Sequence, residues 1–300
     1  MELRHLETLL AVTNSGSFTA AADSLRTVQS NVSEQVRQLE QELGATLVVR
    51  SRRGASLTDC GAVVVERARR VRRELDAMRA DLTMLQGLEA GSTSFGIVGT
   101  ASRWMVPALV AELRQRASGV RIRVNEGASE RLSAEVLAHQ LAQAVVTEPV
   151  LDERLVVEHL LEETLVGLAP ASAQLPDEPV PLEVLAAMPL VLPPLENPLR
   201  TEVETAIANA GLTVSVPVEV EGIRLIADLV AAGAGASVLP ETAVPALREM
   251  RTFRIEGLPP RRLALITARD THLSLADRAV REGVLRLAAG HRLAPGPAVP

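Results

Sequence analysis

The chain has 300 residues, a formal net charge of −6, one cysteine, one tryptophan and no tyrosine. That length suits about two domains with ample core, and no stretch approaches the roughly 18 apolar residues a bilayer-spanning helix needs. The lone Cys60 cannot form an internal disulfide, and the opening M-E-L-R-H-L-E-T lacks the uncharged core of a secretion signal, so the expected place is the cytoplasm, with no membrane partner.

The charge is uneven. Residues 1–90 hold 12 arginines and 12 acids, residues 91–300 hold 19 and 25, and residues 37–73 alone hold nine arginines against four acids. A basic patch on an acidic protein can hold a polyanion locally while the rest of the surface repels it. A solvated charge run is the plain alternative. There is no lysine; guanidiniums suit phosphate and guanine, although composition bias explains their use equally well.

Leu3, Leu6, Leu10 and Thr13 recur at helical spacing, with Leu9 alongside, and Asn14–Ser15–Gly16 ends that helix. Ser17 is a good N-cap for a second helix with Phe18, Ala21, Ala22 and Leu25 on one face. Arg26–Thr27 is the break, with Thr27 or its neighbour capping the next helix. That third helix carries Val32, Val36, Leu39 and Leu43 as an inward stripe. Gln29, Ser30, Ser33 and Arg37 lie off the stripe, where short polar groups and a guanidinium can meet base edges and phosphates. On spacing alone, a helical hairpin with a solvated face fits as well.

Gly44 is a C-cap candidate. Leu47–Arg50 and Ser56–Thr58 read as two short strands around a turn at Arg52–Gly54. This makes a wing with Arg50, Arg52 and Arg53 near its tip, suited to backbone or minor-groove contact. From Asp59 to Leu85, the residues Val64, Ala68, Val71, Leu75, Met78, Leu82 and Leu85 recur at alternating steps of four and three. Such a heptad seam is too narrow for one helix to bury alone, and a second copy is the simplest partner. The alternative is a helix packed on its own domain.

Taken in order, A-A-A-D-S-L, T-V-Q-S-N-V-S-E-Q-V-R-Q-L-E-Q-E-L-G, L-V-V-R-S-R-R-G-A-S-L-T-D-C-G and the long helix resemble the LysR-type transcriptional regulators across residues 1–87. The resemblance implies a winged helix-turn-helix, a linker helix that dimerises and a C-terminal effector-binding domain. It places DNA contacts at Gln29, Ser30, Ser33 and Arg37 on the recognition helix and at Arg50, Arg52 and Arg53 on the wing. Two departures stand out. Position 34 is Glu where family members often carry a basic or neutral polar residue, and an acid near phosphates lowers affinity unless it accepts from a cytosine amine. Val48–Val49 replaces the aromatic usual before the wing arginine.

Beyond the hinge at residues 88–93, strand and helix patterns alternate. Strands are expected at Ser94–Gly99, Val120–Val124, Ala144–Thr147, Glu163–Ala169, Pro189–Pro193, Val214–Val220, Ala236–Pro240 and Arg262–Thr267. Helices are expected at Arg103–Ala117, Ser129–Ala142, Arg200–Ala210, Ile223–Ala232 and Ser274–Ala289. The alternation argues for an α/β domain with mostly parallel strands. F-G-I-V-G-T, M-V-P-A-L-V-A-E-L, V-R-I-R-V-N-E-G and L-V-A-A-G-A-G-A-S-V-L-P resemble the family's regulatory domain, a pair of Rossmann-like lobes akin to type 2 periplasmic binding proteins. The implied division is 1–58 winged helix-turn-helix, 59–87 linker helix and 94–290 effector domain. Lobe I covers about 94–163 and 266–290, lobe II about 164–265, and 291–300 is a disordered tail. The family's Gly-x-Leu-Asp before the third strand reads His139-Gln140-Leu141-Ala142 here.

An effector between such lobes would meet strand ends and helix N-termini. Thr100, Ser102, Arg103, Ser129, Thr147, Asn197 and Arg200 are the candidates for holding a small anion or polar metabolite. Taken singly, Ser129 and Asn197 are explained as helix caps. Trp104 is expected beside the cleft as a fluorescence reporter, and the scarcity of aromatics favours an aliphatic or small polar ligand over a flat one.

No catalytic residue, metal or cofactor is expected. His5, His139, His159, His272 and His291 show no metal-ligand spacing, and Cys60 has no sequence sign of a paired base. Gly96–Gly99 is not a dinucleotide fingerprint, and neither a Walker motif nor a nucleophile elbow occurs. The expected partners are double-stranded DNA with interrupted dyad symmetry, a small-molecule effector, a second copy and a further pair making a tetramer, and RNA polymerase. The rivals are an effector-independent DNA-binding regulator, a solute-binding protein, which the missing signal peptide disfavours, and an enzyme.

Overall fold

The computed structural model describes residues 1–51, 54–85, 91–244 and 249–293. The chain divides into two compact units, one centred on Met1–Leu82 and the other on Thr83–Leu137 and Leu141–Pro300.

The first unit begins with α1 (Leu3–Ser15), α2 (Phe18–Ser24) and α3 (Gln29–Leu43). Gly16 closes α1 in the left-handed conformation (φ 65°), which glycine reaches without strain. Ser17 caps α2 by accepting from the Ala20 amide at 3.0 Å. Arg26 then turns the chain at φ 52°. The cap of α3 is Val28, which has no side-chain oxygen to offer; Thr27 instead accepts from Asn31 Nδ2 at 2.9 Å. Val32, Val36 and Leu39 are buried, whereas Leu25 and Leu43 are exposed. The inward stripe stops at Leu39 because Gly44 turns the chain, and Leu47 fills the core instead.

The wing pairs β1 (Val48–Ser51) with β2 (Gly54–Leu57) antiparallel, Arg50 opposite Ala55. Glu40 fixes its approach by accepting from the Leu47 and Val48 amides at 2.7 and 3.1 Å. Thr58 caps the long α4 (Asp59–Leu85), its hydroxyl accepting from Gly61 N at 2.9 Å. Val65 and Ala68 join the helical core, while Val71, Met78 and Leu82 further along α4 stay exposed.

The second unit holds two apolar cores. One lies around a five-stranded sheet of order β4-β3-β5-β12-β6. Its strands are β3 (Gly91–Ile97), β4 (Val120–Glu126), β5 (Gln143–Thr147), β6 (Leu155–Glu163) and β12 (Arg261–Ala268). Its helices are α5 (Gly99–Arg116), α6 (Ser129–Leu137) and α10 (Leu275–Leu293). The other core gathers β7 (Leu165–Pro170), α7 (Leu182–Ala186), β8 (Pro189–Leu192), α8 (Pro198–Asn209), β9 (Ser215–Glu219), α9 (Ile223–Ala231), β10 (Ser237–Pro240) and β11 (Met250–Arg254).

The sheets correct the expectation of mostly parallel strands. β3 runs parallel to β4 and β5, and β8 to β9, but β12 is antiparallel to β5 and β6, and β7 to β10 and β11. The chain leaves the first lobe after β6 and returns as β12, so the returning strand lies against its neighbours. β6, β11 and α7 have no counterpart among the expected elements. In β6 a register shift opposite Leu263/Ala264 breaks the two-residue alternation by which a strand is read from sequence. α6 ends at Leu137 rather than Ala142, and His139 takes the left-handed turn (φ 54°) where the family pattern has glycine. α10 runs to Leu293, so residues 291–293 of the expected tail are helical. Residues 88–90 of the expected hinge and 294–300 lie outside the described residues, and 91–93 already belong to β3.

Candidate nucleic-acid interface and ligand cleft

The outward side of α3 carries the candidate base readers. Gln29, Ser30 and Arg37 are exposed and Ser33 is half-buried, while Val32, Val36 and Leu39 anchor the opposite side. Ser30, Ser33, Glu34 and Arg37 share one shallow recess with Phe18 and Glu40. Arg37 grips Glu34 through two hydrogen bonds, Nε to Oε2 at 2.9 Å and Nη2 to Oε1 at 2.6 Å. Of the wing cations, Arg50 sits in β1, and Arg52 and Arg53 lie outside the described residues.

Of the seam residues on α4, Ala68 is buried and Val64 and Leu75 are half-buried. Val71, Met78 and Leu82 expose 43%, 51% and 51% of their surface. Leu85 ends the helix. Apolar side chains left in water at heptad spacing mark a face that needs a partner.

In the second unit a cavity of about 760 Å³ lies between the lobes. The N-termini of α5, α6, α8 and α9 all border it, through Gly99, Ser129, Pro198 and Ile223. Converging helix N-termini favour an anion through free N–H groups and aligned dipoles. Thr100, Ser102, Arg103, Ser129, Thr147 and Asn197 line this cavity. Several of them also do local work. Ser129 Oγ accepts from the Thr147 amide at 3.1 Å, and Asn197 Oδ1 accepts from the Leu199 amide at 3.0 Å. The Ser102 hydroxyl lies 2.6 Å from Glu126 Oε2. Arg103 and, across the cavity, Arg224 are exposed cations whose guanidiniums have no hydrogen bond or ion pair among the described residues.

Arg200 is not brought to the cavity, which corrects its candidacy. It is buried with its Nε 2.5 Å from Glu204 Oε1 and its Nη1 3.0 Å from the Pro193 carbonyl oxygen, which spends the guanidinium on the fold. Trp104 is also displaced from its expected place. It packs on the first-lobe core and stacks on His291, ring centroids 4.6 Å apart and planes 21° from parallel.

The buried cation of the cleft is Arg261, which is absent from the candidates drawn from strand ends and helix starts. Its Nη1 donates to Thr100 Oγ1 at 3.2 Å and its Nη2 to Thr147 Oγ1. Its Nε stands 3.8 Å from Glu163 Oε2 and 4.0 Å from Glu202 Oε2. Burial pushes the Glu202 carboxyl above its usual range, with Glu163 adding to the rise and Arg261 opposing it. A larger cavity of about 1230 Å³ shares Ser129, Thr147, Glu196, Pro198 and Arg261 with the first and includes Glu202. The sequence signal for Arg261 was period-two alternation: it falls on the same face of β12 as buried Leu263 and Leu265. Among the described residues no group of three His, Cys, Asp or Glu could hold a metal ion, and no helix is long and apolar enough to cross a membrane.

Two family models divide the chain as these sites do. Residues 3–62 match the bacterial regulatory helix-turn-helix protein, lysR family, and residues 86–289 match the LysR substrate binding domain. The chain belongs to the LysR family of transcriptional regulators. It is 30% identical to the RuBisCO operon transcriptional regulator of Allochromatium vinosum over 294 residues, 96% of this chain and 97% of that one. It is also 30% identical to the nitrogen assimilation regulatory protein nac of Klebsiella aerogenes over 248 residues, 82% and 81% of the two chains. A full-length OxyR variant from Pseudomonas aeruginosa shares the fold at a TM-score of 0.73 and 22% identity, covering 99% of this chain and all (100%) of that one. As a LysR regulator the protein pairs an N-terminal helix-turn-helix with a two-lobed effector domain, and LysR regulators bind DNA and small-molecule effectors.

Proposed function

We propose that two copies of this LysR regulator pair along α4 and set their α3 helices into successive major grooves. Half-sites one turn apart would then be about 34 Å apart, within an operator of interrupted dyad symmetry. The exposed apolar stripe Val71, Met78, Leu82 supports the pairing. Gln29, Ser30, Ser33 and Arg37 read bases, and Arg50, Arg52 and Arg53 of the wing hold the backbone. Pairs of dimers and contact with RNA polymerase extend this reading, which is that of a regulator acting in the cytoplasm rather than of an enzyme.

The observation that carries the effector half is the meeting of four helix N-termini at one cavity of about 760 Å³. The volume suits a small metabolite. We infer a small anion, a carboxylate by preference, held by amides of α5, α6 and α9, the hydroxyls of Thr100, Ser102, Ser129 and Thr147, and Arg103, with α8 contributing only its dipole because Pro198 has no N–H and Asn197 takes the Leu199 amide. Arg261 lends its charge from behind Thr100 and Thr147. Such a ligand switches the protein only if it binds one arrangement of the lobes better than another.

Binding-site selection from genomic fragments with the full-length protein tests the DNA half. Arg37→Ala or Ser33→Ala should weaken operator binding by about 1–3 kcal/mol for each hydrogen-bonded base that the side chain no longer reaches. An Arg37→Ala protein with unchanged affinity and preference would remove α3 as the reading face. Titrating small carboxylates and phosphate against operator affinity tests the effector half; a panel without effect returns the effector-independent reading.

A further inference from the structure

Arg37 and Glu34 stand one turn apart on the outward side of α3, and the way they meet decides which edge of the guanidinium stays open. Glu34 takes the Nε–Nη2 edge, accepting from Nε at 2.9 Å and from Nη2 at 2.6 Å. Gln38 Nε2 steadies the same carboxylate by donating to Oε1 at 2.8 Å. Nη1 has no partner among the described residues. The end-on edge, Nη1 with the second hydrogen of Nη2, therefore points away from the carboxylate. An end-on arginine fork matches guanine O6 and N7, the commonest specific contact in the major groove. The hydrogen bonds hold the Glu34 carboxyl below its usual range and Arg37 above its own, so both stay charged.

We propose that Glu34 is a positioning residue for base reading, one that fixes the Arg37 fork end-on toward guanine while lowering affinity for duplex DNA in general. An untethered arginine spreads over many rotamers and reaches phosphates, which carry no sequence information. A carboxylate on the reading side repels those phosphates. Glu34 thus exchanges general affinity for preference. The proposal rests on α3 being the reading element.

The test is selection from a randomised duplex library by the full-length protein, with wild type, Glu34→Ala, Glu34→Gln, Arg37→Ala and the Glu34→Ala/Arg37→Ala double variant. Arg37→Ala should lose a guanine preference at one position of each half-site. Glu34→Ala should weaken the preference at that same position roughly tenfold, the lower part of what a bidentate arginine contact discriminates. It should also tighten binding to non-operator duplex and steepen the salt slope by up to about one per protomer. Glu34→Gln, which keeps an acceptor, should retain part of the preference. The double variant should be no worse at that position than Arg37→Ala. A guanine preference that survives Glu34→Ala but not Arg37→Ala overturns the role of Glu34 and leaves α3 as the reader. A preference that survives Arg37→Ala overturns both.

Discussion

Arg261 Nε lies 3.8 Å from Glu163 Oε2, with 3% and 0% of the two side chains exposed. β12 brings the arginine back to the end of β6, which holds the glutamate. Glu163 in turn accepts from Thr242 Oγ1 at 2.8 Å, which ties the first lobe to the second.

Breaking this pair should be expensive because one buried charge is left alone. Arg261→Met is expected to destabilise the C-terminal unit by about 3–5 kcal/mol. Glu163→Gln added to it should recover a large part, since the stranded carboxylate is then gone. Calorimetry on the three proteins measures both. An Arg261→Met protein melting with wild type would show that the pair contributes nothing.

Glu202 gives a pH dependence. Burial raises its carboxyl above the ordinary 4.5, so the folded protein holds that proton more tightly than the unfolded chain. Its contribution to stability is full below the unfolded value and is lost as pH rises through the folded one. Glu202→Gln should therefore melt higher than wild type at neutral pH, with the gap closing in acid. A gap that widens toward acid would contradict the sign.

The α4 seam predicts an assembly state. Leu75→Asp with Met78→Asp puts carboxylates on a face that pairing would dehydrate. The double variant should run as a monomer in light scattering and lose operator affinity, since the second half-site is no longer tethered. A dimer of undiminished mass would move the interface elsewhere.

The Trp104–His291 stack at 4.6 Å holds the single tryptophan against α10 rather than in the cavity wall. Saturation with an anion that alters operator affinity should leave the emission nearly unchanged, because Trp104 is absent from the cavity wall. A large ligand-induced change would place the ring nearer the ligand than the stack implies.

What could be read in advance followed from short-range periodicity. The helix spacing of Val32, Val36 and Leu39, the Ser17 cap and the wing strands are local signals, and they led to the helix-turn-helix and to the family. The cleft hydroxyls were reachable because strand ends and helix starts are also local features. Arg200 looked free at a helix start, yet Glu204 one turn on and the Pro193 carbonyl consume it.

The amino-acid order alone determined which segments are amphipathic, which residues cap helices, and that α4 carries an apolar seam, because each depends on neighbours within a turn or two. The tertiary structure decided that Arg261 rather than Arg200 is the buried cation of the cleft, that returning strands run antiparallel, and that Trp104 meets His291. Those outcomes join residues about 60 to 190 positions apart, and no local pattern encodes such pairings; they follow from which chain segments the two cores draw together.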